Sequence, residues 1–100
     1  MKKSIAIVPL TNSDLYAIVD QSDYELVSKY RWRLLEQKRD GYSNRFAVTT
    51  VNGTTIYMHR LITECPKGLV VDHIDGRQLY SRRHNLRVCT ISENLKNRHH

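Results

Sequence analysis

The chain has 100 residues and carries 16 Lys and Arg against 10 Asp and Glu, which gives a net charge of +6. This length predicts one domain over residues 1–100, and the charge favours a polyanionic partner, either nucleic acid or an anionic membrane surface. The sequence contains no run of eighteen apolar residues, so it predicts no membrane span. The two cysteines, Cys65 and Cys89, lack the spacing of a zinc site or a disulfide framework. We therefore expect a cytoplasmic protein, and of the two polyanionic partners we expect nucleic acid and no membrane.

The first thirty residues predict two short strands and one helix. Apolar and β-branched clusters are typical of strands, and an acidic or hydroxyl residue before a period of 3.6 marks a helix start. The predicted elements are strands at Ser4–Pro9 and Leu15–Val19, and a helix that begins at Asp20 or Ser22, ends near Tyr30 and faces the core through Tyr24, Leu26, Val27 and Tyr30.

The middle of the chain predicts a second set of strands. Asn52-Gly53 is a strong signal for a two-residue hairpin turn. Polar residues over 37–44, around Asp40-Gly41, predict a loop. The predicted strands are Arg31–Leu35, Arg45–Val51 and Thr54–Tyr57.

The last third of the chain predicts a hairpin followed by a helix. Thr90 and Glu93 fit the S/T-x-x-E capping box, and we expect Ile91 and Leu95 to hold the helix against the hairpin. The predicted elements are helical turns at Met58–Thr63, strands at Leu69–Ile74 and Asn85–Cys89 with a basic loop between them, and a helix at Ile91–Arg98. The fold class is α+β: a small antiparallel N-terminal sheet with one helix over residues 1–57, then a ββα hairpin-helix unit over 58–98.

Four polar residues are expected to converge in this last unit. Asp72 and His73 end one strand, Asn85 begins the return strand, and Asn94 borders the apolar face of the helix. A more ordinary interpretation stays open for each. Asp72 pairs with Arg87 across the hairpin, His73 is a surface histidine, Asn85 is a turn residue and Asn94 is an ordinary helix residue.

Three segments of the sequence resemble the HNH endonuclease family of ββα-metal nucleases. They are MHRLI at 58–62, CPKGLVVDHIDG at 65–76 and RRHNLRVCTISENLKNR at 82–98. The third motif position is Asn, as in the phage and intron homing-endonuclease branch with an H-N-N pattern. The resemblance implies a DNA endonuclease that hydrolyses phosphodiester bonds, leaves 5′-phosphate and 3′-hydroxyl ends, and nicks one strand of double-stranded DNA per site.

The resemblance also implies a role for each member of the site. His73 is the general base on water, with an ordinary pKa near 6.5 that suits the role, and Asn85 accepts a hydrogen bond from its imidazole. Asp72 and Asn94 offer oxygen ligands, which favour Mg²⁺ or Mn²⁺ over zinc. We expect a monomer or weak dimer.

Basic residues around the site are expected to bind the DNA backbone. Such contacts position a duplex without reading its sequence, and they predict binding that weakens steeply between about 50 and 200 mM salt. His59 and Arg60 take supporting roles, although a purely structural His59 is an equal alternative. The predicted DNA-binding residues are Arg77, Arg82, Arg83, Arg87, Lys96 and Arg98.

One position departs from the family pattern, because Tyr80-Ser81 stands where relatives commonly carry Asp-Asn before the two arginines. The departure concerns the hydrogen bonds of the loop rather than the metal ligands. Two other functions are kept in view. One is a non-catalytic DNA-binding, inhibitory or adaptor module that retains the HNH fold. The other is an RNA-binding protein, although its expected exposed aromatic platform is not evident in the sequence.

Overall fold

The computed structural model describes residues 4–96, without the side chains of Arg39, Tyr42, Leu95 and Lys96. The fold is α+β, with small antiparallel sheets and short helices. Strands β1 (Ile5–Pro9) and β2 (Tyr16–Asp20) form the first sheet. Because successive side chains alternate between faces, Ala17 and Val19 of β2 enter the core while Tyr16 stays exposed.

The predicted N-terminal helix is shorter than expected. A 3₁₀ turn at Gln21–Asp23 leads into α1 (Tyr24–Val27), and Tyr24 is exposed rather than facing the core. Val27 is fully buried, as predicted. The helix stops there because the Val27 carbonyl accepts hydrogen bonds from the Trp32 indole at 2.8 Å and from the Tyr30 N–H at 3.1 Å.

A second sheet follows, so the described N-terminal region holds two sheets and not the single one expected. Its strands are β3 (Arg33–Arg39), β4 (Tyr42–Val51) and β5 (Thr54–Tyr57) in the order β3-β4-β5. The predicted loop over 37–44 is wrong: both strands continue to a two-residue turn at Asp40-Gly41, with φ of 35° and 88°. The polar residues there mark an exposed hairpin arm. The turn at Asn52-Gly53 is confirmed.

Helix α2 (Met58–Thr63) connects the second sheet to the site region. Met58 and Ile62, four residues apart on one helix face, are both buried. The helix ends at Glu64, whose left-handed φ of 52° turns the chain. The Arg60 guanidinium donates to the Leu69 carbonyl at 3.0 Å, so it closes the connection between α2 and the next strand.

The third sheet is the predicted hairpin, formed by β6 (Val70–His73) and β7 (Leu86–Cys89). Helix α3 (Ile91–Lys96) follows, and the capping box is formed: Glu93 N–H donates to Thr90 Oγ1 at 3.1 Å and Glu93 Oε1 accepts from the Thr90 N–H at 2.9 Å. The expected anchoring by Ile91 is wrong, because this side chain is 60% exposed. The side chain of Leu95 and the predicted end of the helix at Arg98 lie outside the described residues.

The N-terminal strands hold the long loop between β6 and β7, residues 74–85. The Ile18 N–H donates to the Leu79 carbonyl at 2.9 Å, and the Ser81 N–H donates to the Ile18 carbonyl at 2.7 Å. Among residues 4–96 no helix has the length and apolar character needed to cross a membrane. The core, built around Val19, Trp32 and Met58, therefore carries the site loop on its surface through backbone hydrogen bonds.

Candidate active site

Asp72 and Arg87 occupy the same face of the β6–β7 hairpin. They are directly opposite each other in the register, and Arg87 Nη2 lies 3.8 Å from Asp72 Oδ2. The ordinary interpretation of an ion pair across the hairpin is therefore correct, but this distance is too long for a hydrogen bond. Arg87 Nη2 is buried and has no hydrogen-bond partner among the described residues. The Arg87 guanidinium is thus held beside the Asp72 carboxylate with an N–H donor that is free to bind a ligand.

His73 is the buried end of β6. As neighbours on a strand, His73 and Asp72 point to opposite faces, and the His73 ring meets the His59 ring edge-on with centroids 5.0 Å apart. Burial lowers the pKa of His73 to about 4, although the nearby Asp72 and Asp75 carboxylates oppose the shift. His73 is therefore neutral at pH 7, the form that accepts a proton. Its Nε2 atom is buried without a hydrogen-bond partner in the described part of the chain.

His59 lies behind His73 in an aromatic cluster. Its ring centroid is 5.9 Å from that of Phe46 and 5.5 Å from that of Tyr57. Burial, with smaller contributions from His73 and Arg60, lowers the pKa of His59 to about 3. A neutral, buried imidazole in this position fixes the orientation of His73 by packing. Arg60, the other expected supporting residue, contacts backbone carbonyls before β6 instead of the site itself.

Asn85 holds the two ends of the loop together instead of orienting His73. Its Oδ1 accepts from the Asp75 N–H at 3.1 Å, while Nδ2 donates to Asp75 Oδ1 at 3.0 Å and to the Tyr80 carbonyl at 2.8 Å. These three bonds use both N–H donors of the buried amide and one lone pair of its oxygen. The expected hydrogen bond to the His73 imidazole is not among those that residues 4–96 form. Asn85 therefore positions the loop that follows the histidine.

Asn94 is half-buried on α3, which packs against β6. Its backbone N–H donates to the Thr90 carbonyl at 3.0 Å within the first turn. Residues 4–96 contain no cluster of three or more His, Cys, Asp or Glu side chains able to hold a metal. A cation here would take its protein ligands from the Asp72 carboxylate and the Asn94 amide, with water and phosphate oxygens completing its shell. Two hard oxygen donors fit a hexacoordinate Mg²⁺ or Mn²⁺ that keeps several waters.

Four of the six predicted DNA-binding residues are engaged in ion pairs within the protein. Arg82 Nε lies 2.8 Å from Asp20 Oδ1, and Arg83 forks onto Asp23 with contacts of 2.8 to 3.2 Å. The other two pairs are Arg77 with Asp75 and Arg87 with Asp72. The side chain of Lys96 and the whole of Arg98 lie outside the described residues.

Sequence reasoning missed the partners of Arg82 and Arg83. Asp20 and Asp23 are 62 and 60 residues away along the chain, so no local pattern links them to the loop. The signal available in the sequence was a pair of carboxylates three residues apart, Asp20 at the end of β2 and Asp23 in the turn that follows it. Gln78 was also missed: its Oε1 accepts from the Arg45 N–H at 2.6 Å and its Nε2 donates to Asn44 Oδ1 at 2.7 Å.

Residues 57–96 match the family model described as HNH endonuclease. This segment contains the predicted catalytic and metal-binding residues, which are Asp72, His73, Asn85 and Asn94, together with His59 and Arg87. Neither the curated proteins nor the solved structures contained a match to the chain. The resemblance to the HNH endonuclease family is thereby confirmed for the hairpin and its flanking helices.

Proposed function

Residues 57–96 belong to the HNH endonuclease family, and from this premise we propose that the protein is a metal-dependent DNA endonuclease that hydrolyses phosphodiester bonds. In this proposal β6, β7 and α3 are the ββα-metal unit. His73 is the general base, Asp72 and Asn94 hold the cation, and Arg87 contacts the scissile phosphate. Asn85 keeps the role that its hydrogen bonds support, which is to hold the loop after His73.

The observation that carries the proposal is a pair of unsatisfied polar atoms at one end of the β6–β7 hairpin. His73 Nε2 and Arg87 Nη2 are both buried without partners in the described structure. A buried polar atom without a hydrogen bond costs about 1–3 kcal/mol, and such atoms are scarce in native proteins. In the tautomer with its proton on Nδ1, His73 offers Nε2 as an acceptor, and Arg87 Nη2 is a cationic donor. A water molecule and a phosphate oxygen are the complementary ligands.

The residues divide the reaction between them. His73 Nε2 takes a proton from the water that attacks phosphorus, the bond from phosphorus to the 3′ oxygen breaks, and that oxygen leaves as a 3′-hydroxyl after it gains a proton from solvent. Arg87 donates to a phosphate oxygen and offsets the charge that develops there. When bound, the cation supplies Lewis acidity at the phosphate. The products carry 5′-phosphate and 3′-hydroxyl ends.

The buried position of His73 Nε2 sets a condition on this mechanism. Substrate binding must open the end of the hairpin so that water reaches the imidazole. Catalytic contacts are often loose in the free enzyme and tighten in the complex. The 3.8 Å separation of Asp72 and Arg87 is consistent with such a change, because a phosphate can displace the guanidinium from the carboxylate without breaking a hydrogen bond.

The finer properties follow from the same proposal. The substrate is double-stranded DNA, one site nicks one strand, the chain acts as a monomer or weak dimer, and the cation is Mg²⁺ or Mn²⁺. The homing-endonuclease branch and a cytoplasmic location in a bacterial or phage-infected cell complete it. We also propose that residues 1–100 form one domain, with 1–57 as the support region, because Asp20 and Asp23 form ion pairs with the loop of the 58–98 unit.

A second function is favoured by one specific observation. The Asp72–Arg87 pair neutralises the carboxylate that the cation would use, as expected for a non-catalytic DNA-binding, inhibitory or adaptor module that retains the nuclease fold. The two functions predict different products from the same DNA. Only the endonuclease converts a supercoiled circle to an open one.

The test is to incubate supercoiled plasmid with the protein in low salt and Mg²⁺, beside the same mixture with excess chelator. The endonuclease yields open circles in Mg²⁺ alone, and DNA ligase reseals them because the nicks carry 5′-phosphate and 3′-hydroxyl ends. Bound but uncut plasmid under both conditions would favour the non-catalytic module. Open circles that ligase cannot reseal would contradict the proposed end chemistry.

A further inference from the structure

A cleft beside the site loop is not used by the proposed mechanism. It has a volume of about 460 Å³ and lies between β2, β4 and residues 76–80. This volume is within the range of small-molecule pockets, about 300–1,000 Å³. Tyr16 and Ile18 form one wall, Ser43 and Arg45 another, and Arg77 and Tyr80 belong to the loop wall.

The loop wall carries a stacked cation and aromatic ring. The Arg77 guanidinium carbon lies 4.4 Å from the centre of the Tyr80 ring, and the Arg77 side chain is 69% exposed. On the β2 wall, Tyr16 is 47% exposed. Aromatic rings and arginine planes are the surfaces on which unpaired nucleic-acid bases stack. The cleft thus presents flat stacking surfaces on two of its walls.

Two cations at the cleft have unused donors. Arg45 pairs with Glu36 at 3.0 Å, and Arg77 pairs with Asp75 at 2.6 Å, each through Nε alone among the described residues. A guanidinium has five N–H donors, so the terminal nitrogens of both side chains are free to meet a phosphate. Stacking surfaces with adjacent arginines are the chemistry that recognises a nucleotide, with its base inside the cleft and its phosphate at the rim.

The walls of the cleft are fixed by hydrogen bonds. Gln78 joins the loop to β4 through the Arg45 N–H and the Asn44 amide, and Ile18 joins β2 to the loop. Asn85 then connects the Tyr80 carbonyl to Asp75, two residues after His73. The cleft and the candidate active site therefore share one loop. A ligand in the cleft contacts residues that are close in sequence to His73.

We propose that this cleft binds one unpaired nucleotide of the DNA substrate, so that the protein prefers DNA with a flipped, gapped or flapped position beside the cut. The inference rests on the proposed function, because it takes DNA as the substrate. It adds a substrate class, DNA with a locally unpaired base, that the site at the end of β6 does not itself define.

The test measures binding in excess chelator, where no cutting occurs. Two duplexes of equal length are compared, one fully paired and one with a single unpaired 2-aminopurine at its centre. The wild-type protein is expected to bind the second duplex at least about fivefold more tightly, the lower end of what stacking of one base contributes. The 2-aminopurine fluorescence is expected to be quenched as the base stacks.

Matched variants assign the effect to the cleft. Tyr16→Ala and Arg77→Ala are expected to remove both the preference and the quenching. Tyr24→Ala and Arg31→Ala, which change an exposed tyrosine and an exposed arginine outside the cleft lining, are expected to retain both. Thermal unfolding of each variant establishes that the protein is folded in every comparison.

The outcomes separate this inference from the proposed function. Equal binding of both duplexes with unchanged fluorescence, by a protein that nicks plasmid in Mg²⁺, would overturn the cleft proposal and leave the endonuclease standing. Quenching and a binding preference in a protein that never nicks plasmid would support the cleft proposal and contradict the endonuclease. A preference that survives Tyr16→Ala and Arg77→Ala would also overturn it, because the unpaired base would then bind elsewhere.

Discussion

At the scale of single residues, the site is defined by two histidines that burial keeps neutral. His59 and His73 are both neutral near pH 7, because burial lowers the pKa of each to about 3 and about 4. Their edge-on contact at 5.0 Å means that a charge on one disfavours a charge on the other. The folded protein therefore resists protonation where the unfolded chain accepts it.

This resistance makes stability depend on pH with a definite sign. An unfolded histidine binds a proton below about pH 6.5, whereas folded His59 does so only near pH 3. Between these values the unfolded state holds more protons, so the free energy of unfolding falls as the pH falls, by about 1.4 kcal/mol per pH unit for each such group. Above pH 7.5 the term vanishes. Denaturant titrations of the wild type and of His59→Leu at several pH values measure the difference.

We expect the slope of His59→Leu, between roughly pH 5.5 and 4, to be smaller than that of the wild type by about 1.4 kcal/mol per pH unit. His84→Leu is the matched control, since it makes the same replacement at an exposed histidine. Equal slopes in the wild type and in His59→Leu would show that the buried imidazole is not held neutral.

Asn85 supports a second prediction at this scale. Its buried amide satisfies the Asp75 N–H and the Tyr80 carbonyl, so Asn85→Ala leaves both without partners and lowers stability by about 1–3 kcal/mol. The loop after His73 also loses its tie, and plasmid nicking is expected to fall. The measurements are denaturant unfolding and the rate of open-circle formation.

Asn12→Ala is the control for that variant. Asn12 makes a comparable pair of bonds to the Leu34 backbone, at 2.7 and 3.0 Å, away from the site. It is expected to lose stability without losing nicking at temperatures where the protein is folded. If Asn85→Ala nicks at the wild-type rate, the loop does not need this tie and the positioning role is refuted.

At the scale of elements, the loop between β6 and β7 is held by the region that precedes the hairpin. Asp20 accepts from Arg82 Nε at 2.8 Å and from the Arg83 N–H at 3.0 Å, and Asp23 receives the fork of Arg83. The two pairs differ in exposure: the Arg82 side chain is 16% exposed and that of Arg83 is 57% exposed. The Arg82–Asp20 ion pair is therefore largely buried, whereas the Arg83–Asp23 pair lies at the surface.

Asp20→Ala is expected to lower the melting temperature by roughly 10 °C, because it removes the carboxylate that accepts from both the Arg82 guanidinium and the Arg83 backbone N–H. Asp23→Ala is the matched control. It is expected to have the smaller effect, since water replaces the carboxylate at an exposed arginine. Thermal unfolding followed by circular dichroism compares the two. A larger loss in Asp23→Ala would contradict this ranking.

Elements with local signals were predictable from the sequence, and those decided by distant contacts were not. Thr90 and Glu93 fixed the start of α3 through a local cap, and Asn52-Gly53 fixed a hairpin through its turn geometry. The polar run at 37–44 was misjudged, since an exposed hairpin arm has the composition of a loop. In the site, residue types and spacing indicated Asp72 and His73. The ties of Arg82 and Asn85 depend on tertiary packing that no local pattern contains.

At the scale of the whole molecule, the net charge of +6 is less available to DNA than the sequence implies. Arg82 and Arg83 are each paired with a carboxylate of the preceding region. These two arginines hold the loop in place, so fewer basic side chains are available to bind DNA. The matched segment, residues 57–96, receives its loop anchors from Ile18, Asp20 and Asp23. The site is therefore a property of both regions together.

The most direct test of the account separates DNA binding from DNA cutting in His73→Ala. If His73 is the base, this variant binds plasmid DNA in chelator as tightly as the wild type does but forms no open circles in Mg²⁺. His84→Ala, which removes an exposed histidine of the same loop, nicks at the wild-type rate. Open circles from His73→Ala at the wild-type rate would contradict the account, because another group would then activate the water.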